Sequence, residues 1–300
     1  YEFGPDGGKP IKKDIPASEL DRANKMHNAI VEAAAENDDT LMEHFFETGN
    51  LEESELAEGL RKGIAKQHLF PVFCASSIKN MGTGRIMGFI NDVCPSPADR
   101  PLTKLTKGEL AISTSGPATI FIYKTFSEPK VGRISYFKVY SGKVKAGDEL
   151  INNSNRGHER INQIFVSNGK NRESVSELVA GDLGALVKLK DSHTNNTLSV
   201  KGNDIEVEPI PFPEPRIRTA IHTENKNDLE KLVKAIHEIQ EEDPTLIFEQ
   251  SMRLKQNLLH GQGQMHLDLV KYRIEKLHGL HMDFVKPRIP YLETITKSSD

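Results

Sequence analysis

Few residues in this chain stand at a spacing that could do chemistry, and those few point to recognition rather than catalysis. Asn24-Lys25-Met26-His27 approximates the guanine-specific Asn-Lys-x-Asp element. His27, however, stands where a carboxylate must accept two donors from the base. The tetrapeptide also falls inside a helical pattern, away from any strand end. No Gly-x-x-x-x-Gly-Lys-Ser/Thr loop is present to cradle phosphates, and no Asp-x-x-Gly element to hold a metal and a γ-phosphate. Gly82-Thr83-Gly84 is too short for a phosphate loop. His266 lies near a helix start with no second ligand at i+4, so it reads as a structural or capping group. Cys74 and Cys94 sit in apolar segments without C-x-x-C spacing. They are expected to be buried and reduced, with a disulfide or metal site as the alternative. No catalytic residue and no metal site is expected.

The charge of −4 is unevenly spread. Residues 1–101 carry 11 basic and 17 acidic side chains, residues 102–210 carry 15 and 12, and residues 211–300 carry 13 and 14. The basic middle is compatible with contact to RNA phosphates, although a solvated surface gives similar numbers. Its candidate contact residues are Lys124, Lys130, Arg133, Lys143, Lys145, Arg156 and Arg172, most of them expected on loops. No apolar run approaches the roughly 20 residues that span a bilayer. Tyr1 to Gly8 reads as a hairpin cut open, so the chain is expected to be an excised part of a longer protein.

Three kinds of element must position these residues. Residues 17–66 read as acidic helices, with Leu20, His27, Ile30, Val31 and Ala34 at near-helical spacing. Leu69 to Ala75 is wholly apolar, as expected of a strand buried on both faces, and a helix follows to Val93. Residues 107–203 alternate in short strands with glycine and asparagine turns, the pattern of a β-barrel. In Val131 to Tyr140, Phe137 and Val139 point one way, and Ile134 and Tyr136 the other. The proline-rich Pro211 to Pro215 is a stiff linker. Residues 216–295 then give the order βαββαβ, with Asn227 and Glu230 as a helix cap and Leu267, Val270, Ile274 and Leu277 as an inner stripe.

The literal order Gly-Arg-Ile-x-x-Phe-x-Val-Tyr-Ser-Gly in residues 132–142, followed by Lys145-Ala146-Gly147-Asp148, resembles the second-domain signature of translation elongation factor G. Val72 to Gly82 resembles the last guanine-recognition motif of that family, with Ser76, Ser77 and Ile78 at the base-contacting positions. Ala75, Ser77 and Ile78 depart mildly from it. Gly261-Gln262-Gly263-Gln264-Met265-His266-Leu267-Asp268 is similar to a third-domain run, with Gln264 and Met265 as departures, and Glu241-Glu242-Asp243-Pro244 matches another. The latter follows a helix, where its role is to stop and turn the chain.

The resemblance implies a multidomain α/β and β chain. Residues 1–101 would be the C-terminal piece of a P-loop GTPase domain with an acidic helical insert, and 102–210 a translation-factor β-barrel. Residues 211–295 would be a ferredoxin-like domain, and 296–300 the start of a fourth. It implies a monomeric, cytoplasmic, non-membrane parent that uses GTP/GDP with Mg²⁺. That parent would contact ribosomal RNA and small-subunit protein and drive GTP-dependent translocation of tRNA and mRNA. Alternatives are a ribosome-recycling or tetracycline-protection paralogue, or a nucleic-acid-binding adaptor that is no GTPase. Nucleotide affinity in such GTPases comes mostly from the phosphate loop and Mg²⁺. Titration calorimetry of this chain with GDP and Mg²⁺ is therefore expected to give no binding heat, and micromolar affinity would contradict the reading.

Overall fold

A computed structural model describes residues 1–293 except Asp6, Pro129, Lys130, Lys170, Glu224, Lys226, Asn227 and Leu292. Lys130, Asn227 and the 296–300 segment, singled out above, lie outside the described residues. The chain divides into two compact units, Tyr1–Pro101 and Leu102–Asp300. Among the described residues, no helix is long and apolar enough to cross a membrane.

The first unit opens with a hairpin, β1 (Glu2–Gly4) and β2 (Gly7–Ile11). Helices α1 (Leu20–Ala35), α2 (Asp39–Thr48), α3 (Glu53–Ala65) and α4 (Thr83–Val93) follow. Asn24 to His27 lie inside α1. Small residues set the helix packing. Ala34 and Ala35 are fully buried with Val31, against Leu41 and Leu51. A Cβ on Gly59 of α3 would stand 2.6 Å from the Ala34 carbonyl oxygen, so only glycine permits this approach. Asp38 caps α2 by accepting from the Thr40 and Leu41 amides at 3.1 and 3.2 Å. Its hydrogen bond from Lys62, with those amides, holds its carboxyl below the usual range.

Two expectations are corrected here. Leu69 to Ala75 forms no strand and is not buried: Val72 is 91% exposed and Phe70 is open as well. An apolar run becomes a buried strand only where neighbouring strands complete its hydrogen bonds, and no described strand pairs with it. Cys74 is exposed for the same reason, and Cys94 is half-buried.

The second unit begins with the short ribbon β3 (Thr103–Lys104) and β4 (Glu109–Leu110). The barrel strands are β5 (Thr119–Glu128), β6 (Gly132–Ser141), β7 (Lys143–Lys145), β8 (Glu149–Asn152), β9 (His158–Arg160), β10 (Ile164–Asn168), β11 (Asn171–Val175), β12 (Glu177–Val179), β13 (Leu183–Val187) and β14 (Thr197–Ser199). Eight of them form one sheet in the order β11-β10-β13-β6-β5-β14-β8-β9, and β12 pairs with β7. Alternation sends Ile120, Ile122, Phe137 and Val139 inward, where they meet Val144, Leu150, Ile164, Leu178 and Leu198. Between β9 and β10 the pairing is broken at Ile161, whose amide donates to the Asp148 carbonyl and whose carbonyl accepts from the Gly147 amide. Lys188 takes a positive φ of 60° and ends β13, opening a loop to Asn196.

That loop is pinned by buried polar groups. Glu159 accepts from the amides of Lys190 and Asp191 at 2.9 and 2.8 Å and from the Ser192 hydroxyl at 2.8 Å. Asn152 Nδ2 reaches Asn196 Oδ1 at 2.9 Å. A buried carboxylate with three donors is satisfied, so the loop is held firmly.

The rest of the unit is β15 (Ile217–His222), α5 (Leu229–Glu242), β16 (Ile247–Ser251), β17 (Gln256–Gly261), α6 (Gln264–Arg273) and β18 (Asp283–Val285). The antiparallel sheet runs β16-β17-β15-β18, the ferredoxin-like arrangement. Leu232, Ile236 and Ile239 of α5 and Leu267 and Val270 of α6 pack on Ile221 and Leu259. Leu277 is not on this stripe. A π-helical turn over Ile274–His278 advances fewer degrees per residue than an α-helix and leaves Leu277 63% exposed.

Two glycines at positive φ separate backbone strain from crowding. Gly132 (φ +88°) has open space around a would-be Cβ, whereas at Gly142 (φ +66°) that atom would stand 2.3 Å from the Gly116 carbonyl oxygen. Urea unfolding followed by circular dichroism is expected to show a loss of about 1 kcal/mol for Gly132→Ala and at least about 3 kcal/mol for Gly142→Ala. Equal losses would contradict the close approach at Gly142.

Candidate functional site

Two features of the chain can recognise a partner, a third joins parts of the second unit, and each is built differently. The first is the loop that follows the apolar run in the first unit. Ser76 and Met81 exchange backbone hydrogen bonds of 3.0 and 2.9 Å, which closes the loop. Asn80 (φ 49°) and Gly82 (φ 78°) supply left-handed turns that lead into α4. Thr83 Oγ1 donates to Asn80 Oδ1 at 2.5 Å and fixes the exit. The closed turn leaves Ser77 exposed and Ile78 97% exposed, with Ser76 half-buried. The hairpin backs the loop: Lys79 Nζ donates to the Pro5 carbonyl at 2.9 Å. A Cβ on Gly7 would fall within bonding distance of the Lys79 carbonyl oxygen, so the contact is backbone on backbone. Such a loop can offer small side chains and backbone N–H groups to a planar acceptor.

The second feature is the set of barrel cations, and their placement corrects the expectation of loops. Lys124 lies on β5, Arg133 on β6, Lys143 and Lys145 on β7, and Arg172 on β11. Among the described candidates only Arg156 stands in a turn, at φ +61°. Arg172 is mostly buried and paired with Glu128, which with Tyr136 favours its charged form. Arg133 donates to the carbonyls of Leu189 and Lys190 at 3.0 and 3.1 Å. Lys143 and Lys145 are exposed and flank Glu177 at 3.9 and 3.6 Å, and exposed Arg156 meets Asp204 at 2.6 Å. These three remain accessible to an external anion, since surface pairs of this kind are weak. Arg133 and Arg172 are committed to contacts within the second unit.

The third feature reads in the sequence only as a turn. Glu241 and Glu242 end α5 and Asp243 follows as its cap; the two glutamates bind side chains and backbone of the barrel. Glu242 is 5% exposed. Its Oε1 accepts from the Ser127 amide of β5 at 2.8 Å, its other oxygen pairs with Arg273 of α6, and its carbonyl accepts from Lys124 Nζ at 2.5 Å. Glu241 accepts from His193 Nδ1 at 2.6 Å and lies 3.5 Å from Arg133 Nη1. His193 Nε2 lies 3.2 Å from Asp191 Oδ1. The bond to Glu241 raises the imidazole above its ordinary value, and the same bond lowers the Glu241 carboxyl. Burial pushes Asp243 up, but its bonds from Thr245 and the nearby His266 and Lys124 bring it below its usual range. His266 Nδ1 accepts from the Gln262 amide at 3.1 Å. Its Nε2 lies 3.1 Å from Asp243 Oδ2, poorly aligned for a hydrogen bond. One signal in the sequence marks this site: three acids in a row at a helix C-terminus, where the helix dipole disfavours them.

Among the described residues, no group of His, Cys, Asp and Glu could hold a metal ion.

Comparison with known proteins agrees with the domain pattern. Residues 132–199 match the family model of elongation factor Tu domain 2, and residues 212–286 match that of elongation factor G domain III. A crystal structure of a Thermus thermophilus protein is similar over 97% of this chain, at 26% identity and a TM-score of 0.79. The chain spans 42% of the length of that relative. In carrying a match to elongation factor Tu domain 2 followed by one to elongation factor G domain III, the chain resembles elongation factor G.

Proposed function

We propose that the chain acts in protein synthesis as part of a ribosome-associated GTPase that moves tRNA and mRNA through the ribosome. The order of the two matched domains is the single observation that supports this reading most. On it, residues 1–101 belong to the end of a GTPase domain with a helical insert, and the loop at Ser76, Ser77 and Ile78 contacts the guanine of GTP or GDP. Phosphate and Mg²⁺ binding fall to residues outside this chain, and hydrolysis with them. The chain supplies ribosome contact and carries the nucleotide state between domains, in the cytoplasm.

The contact surface on this reading includes Lys143, Lys145 and Arg156, the exposed cations of the barrel. Cations of this kind follow RNA phosphates without reading base sequence. Lys130 stays a candidate on charge alone. Lys124, Arg133 and Arg172 serve the fold first.

Co-sedimentation of the chain with ribosomes across a salt series tests the proposal. The triple variant Lys143→Gln, Lys145→Gln, Arg156→Gln is expected to bind more weakly at low salt. The slope of log affinity against log salt should fall by about 0.7–0.9 for each phosphate that the variant no longer neutralises. Unchanged co-sedimentation with an unchanged slope would contradict this contact surface.

A further inference from the structure

The barrel and the α/β domain of the second unit are joined without a common core. The barrel cluster around Phe137 and the α/β cluster around Ile236 share no residue. The junction described above is made of ion pairs and hydrogen bonds centred on Glu241 and Glu242. Beside it lies a cleft of about 550 Å³, lined by Ser127, Glu128, Glu238, Glu242, Arg273 and His278 among others. Helix α5 packs against β5, and the polar contacts named above sit at its end next to open space. Polar interdomain contacts without a shared core permit relative motion.

The covalent link is also arranged as a pivot. On the barrel side, Asn195 bonds Ile210 twice, its Nδ2 donating to the carbonyl at 3.1 Å and its Oδ1 accepting from the amide at 2.9 Å. On the other side, the Pro213 carbonyl accepts from Gln262 at 3.0 Å and the Arg216 amide donates to Gly261 at 2.9 Å. Only Pro211 and Phe212 lie between these anchors.

We infer that Glu241 and Glu242 form a releasable clasp, which sets whether barrel and α/β domain move as one body or pivot at Pro211–Phe212, and that a proton on His193 tightens it. The inference stands on the geometry of this unit and does not depend on the function proposed above. Release would expose charged and hydrogen-bonding groups that water can satisfy, and would open neither core.

His193 is the adjustable member. It is faced by Glu241 from α5, by Arg133 from β6 at 3.3 Å, and by Asp191 of its own loop. The imidazolium donates from both nitrogens to the two carboxylates, whereas the neutral ring has one donor. The sign follows from both partners. His193 is raised from an ordinary 6.5, so its contribution is complete below that value and is lost as pH climbs through the raised one. Glu241 is lowered from 4.5, so its contribution is present above that value and is lost as pH falls through the lowered one. The clasp is tightest between these limits and loosens in alkali. Both side chains are partly solvated, so the effect is a several-fold change in the open population, not complete opening.

The test is a distance distribution from pulsed electron paramagnetic resonance on the full chain. Spin labels are placed at Lys201→Cys in the barrel and Met265→Cys in α6, with Cys74→Ser and Cys94→Ser removing the native thiols. At about pH 5.5, below the ordinary imidazole pKa, one narrow distance is expected; at about pH 8.5 a second population should grow several-fold. Glu241→Gln, on a half-exposed residue, should show that second population at both pH values. Glu242→Ala should enlarge it by about tenfold or more, the worth of hydrogen bonds to a charged group. His193→Gln should remove the pH response. Circular dichroism confirms that each variant is folded. One unchanged distance in wild type at both pH values and in Glu241→Gln would overturn the clasp. A pH response that persists in His193→Gln would overturn the role of the histidine.

Discussion

Three adjacent carboxylates at the end of helix α5 are the constraint on which the second unit depends. Aligned peptide dipoles already place negative charge at that pole, so Glu241, Glu242 and Asp243 are unfavourable there unless cations and donors converge on them. They do converge, from four places. Lys124 caps the helix through the Glu242 carbonyl, the Ser127 amide and Arg273 hold its buried carboxylate, and Arg133 and His193 face Glu241. Removing one partner of such a buried group costs more than the bond itself is worth, because the remaining charge is left without compensation. The barrel must therefore present β5, β6 and the His193 loop at fixed positions. The network of Glu159, Asn152 and Ser192 beneath that loop does this.

The first unit obeys a different constraint, the approach of backbone to backbone. Gly59 lets α3 lie on α1 at Ala34, and Gly7 lets the hairpin lie on the 76–81 loop at Lys79. Neither contact tolerates a side chain. The loop that results is closed at its base by the Ser76–Met81 hydrogen bonds and open at Ser77 and Ile78.

The folds of the barrel and of the α/β domain are legible in the sequence because their signals are local. Alternation of β-branched and aromatic residues puts Phe137 and Val139 in the core, and helical spacing does the same for Leu232 and Ile236. Three kinds of misreading have physical causes. Leu69 to Ala75 reads as buried because it is apolar, but burial depends on neighbours that the run cannot specify. The charged residues read from their net balance, which says nothing about partners. Lys124 finds its acceptor 118 positions away, and Arg172 is taken by Glu128. Leu277 is carried off its stripe by a π-helical turn that no residue type announces.

The joining of the α/β domain to barrel strand β5 rests on Glu242, and its bond from the Ser127 amide reports on this directly. Amide hydrogen exchange followed by nuclear magnetic resonance would measure it. The Ser127 amide is predicted to be protected in the wild-type chain and to lose protection in Glu242→Ala, while the Ile120 and Ile122 amides stay protected in both. A Ser127 amide that exchanges as freely as an exposed loop amide in the wild type, or one equally protected in the variant, would contradict the clasp at its centre.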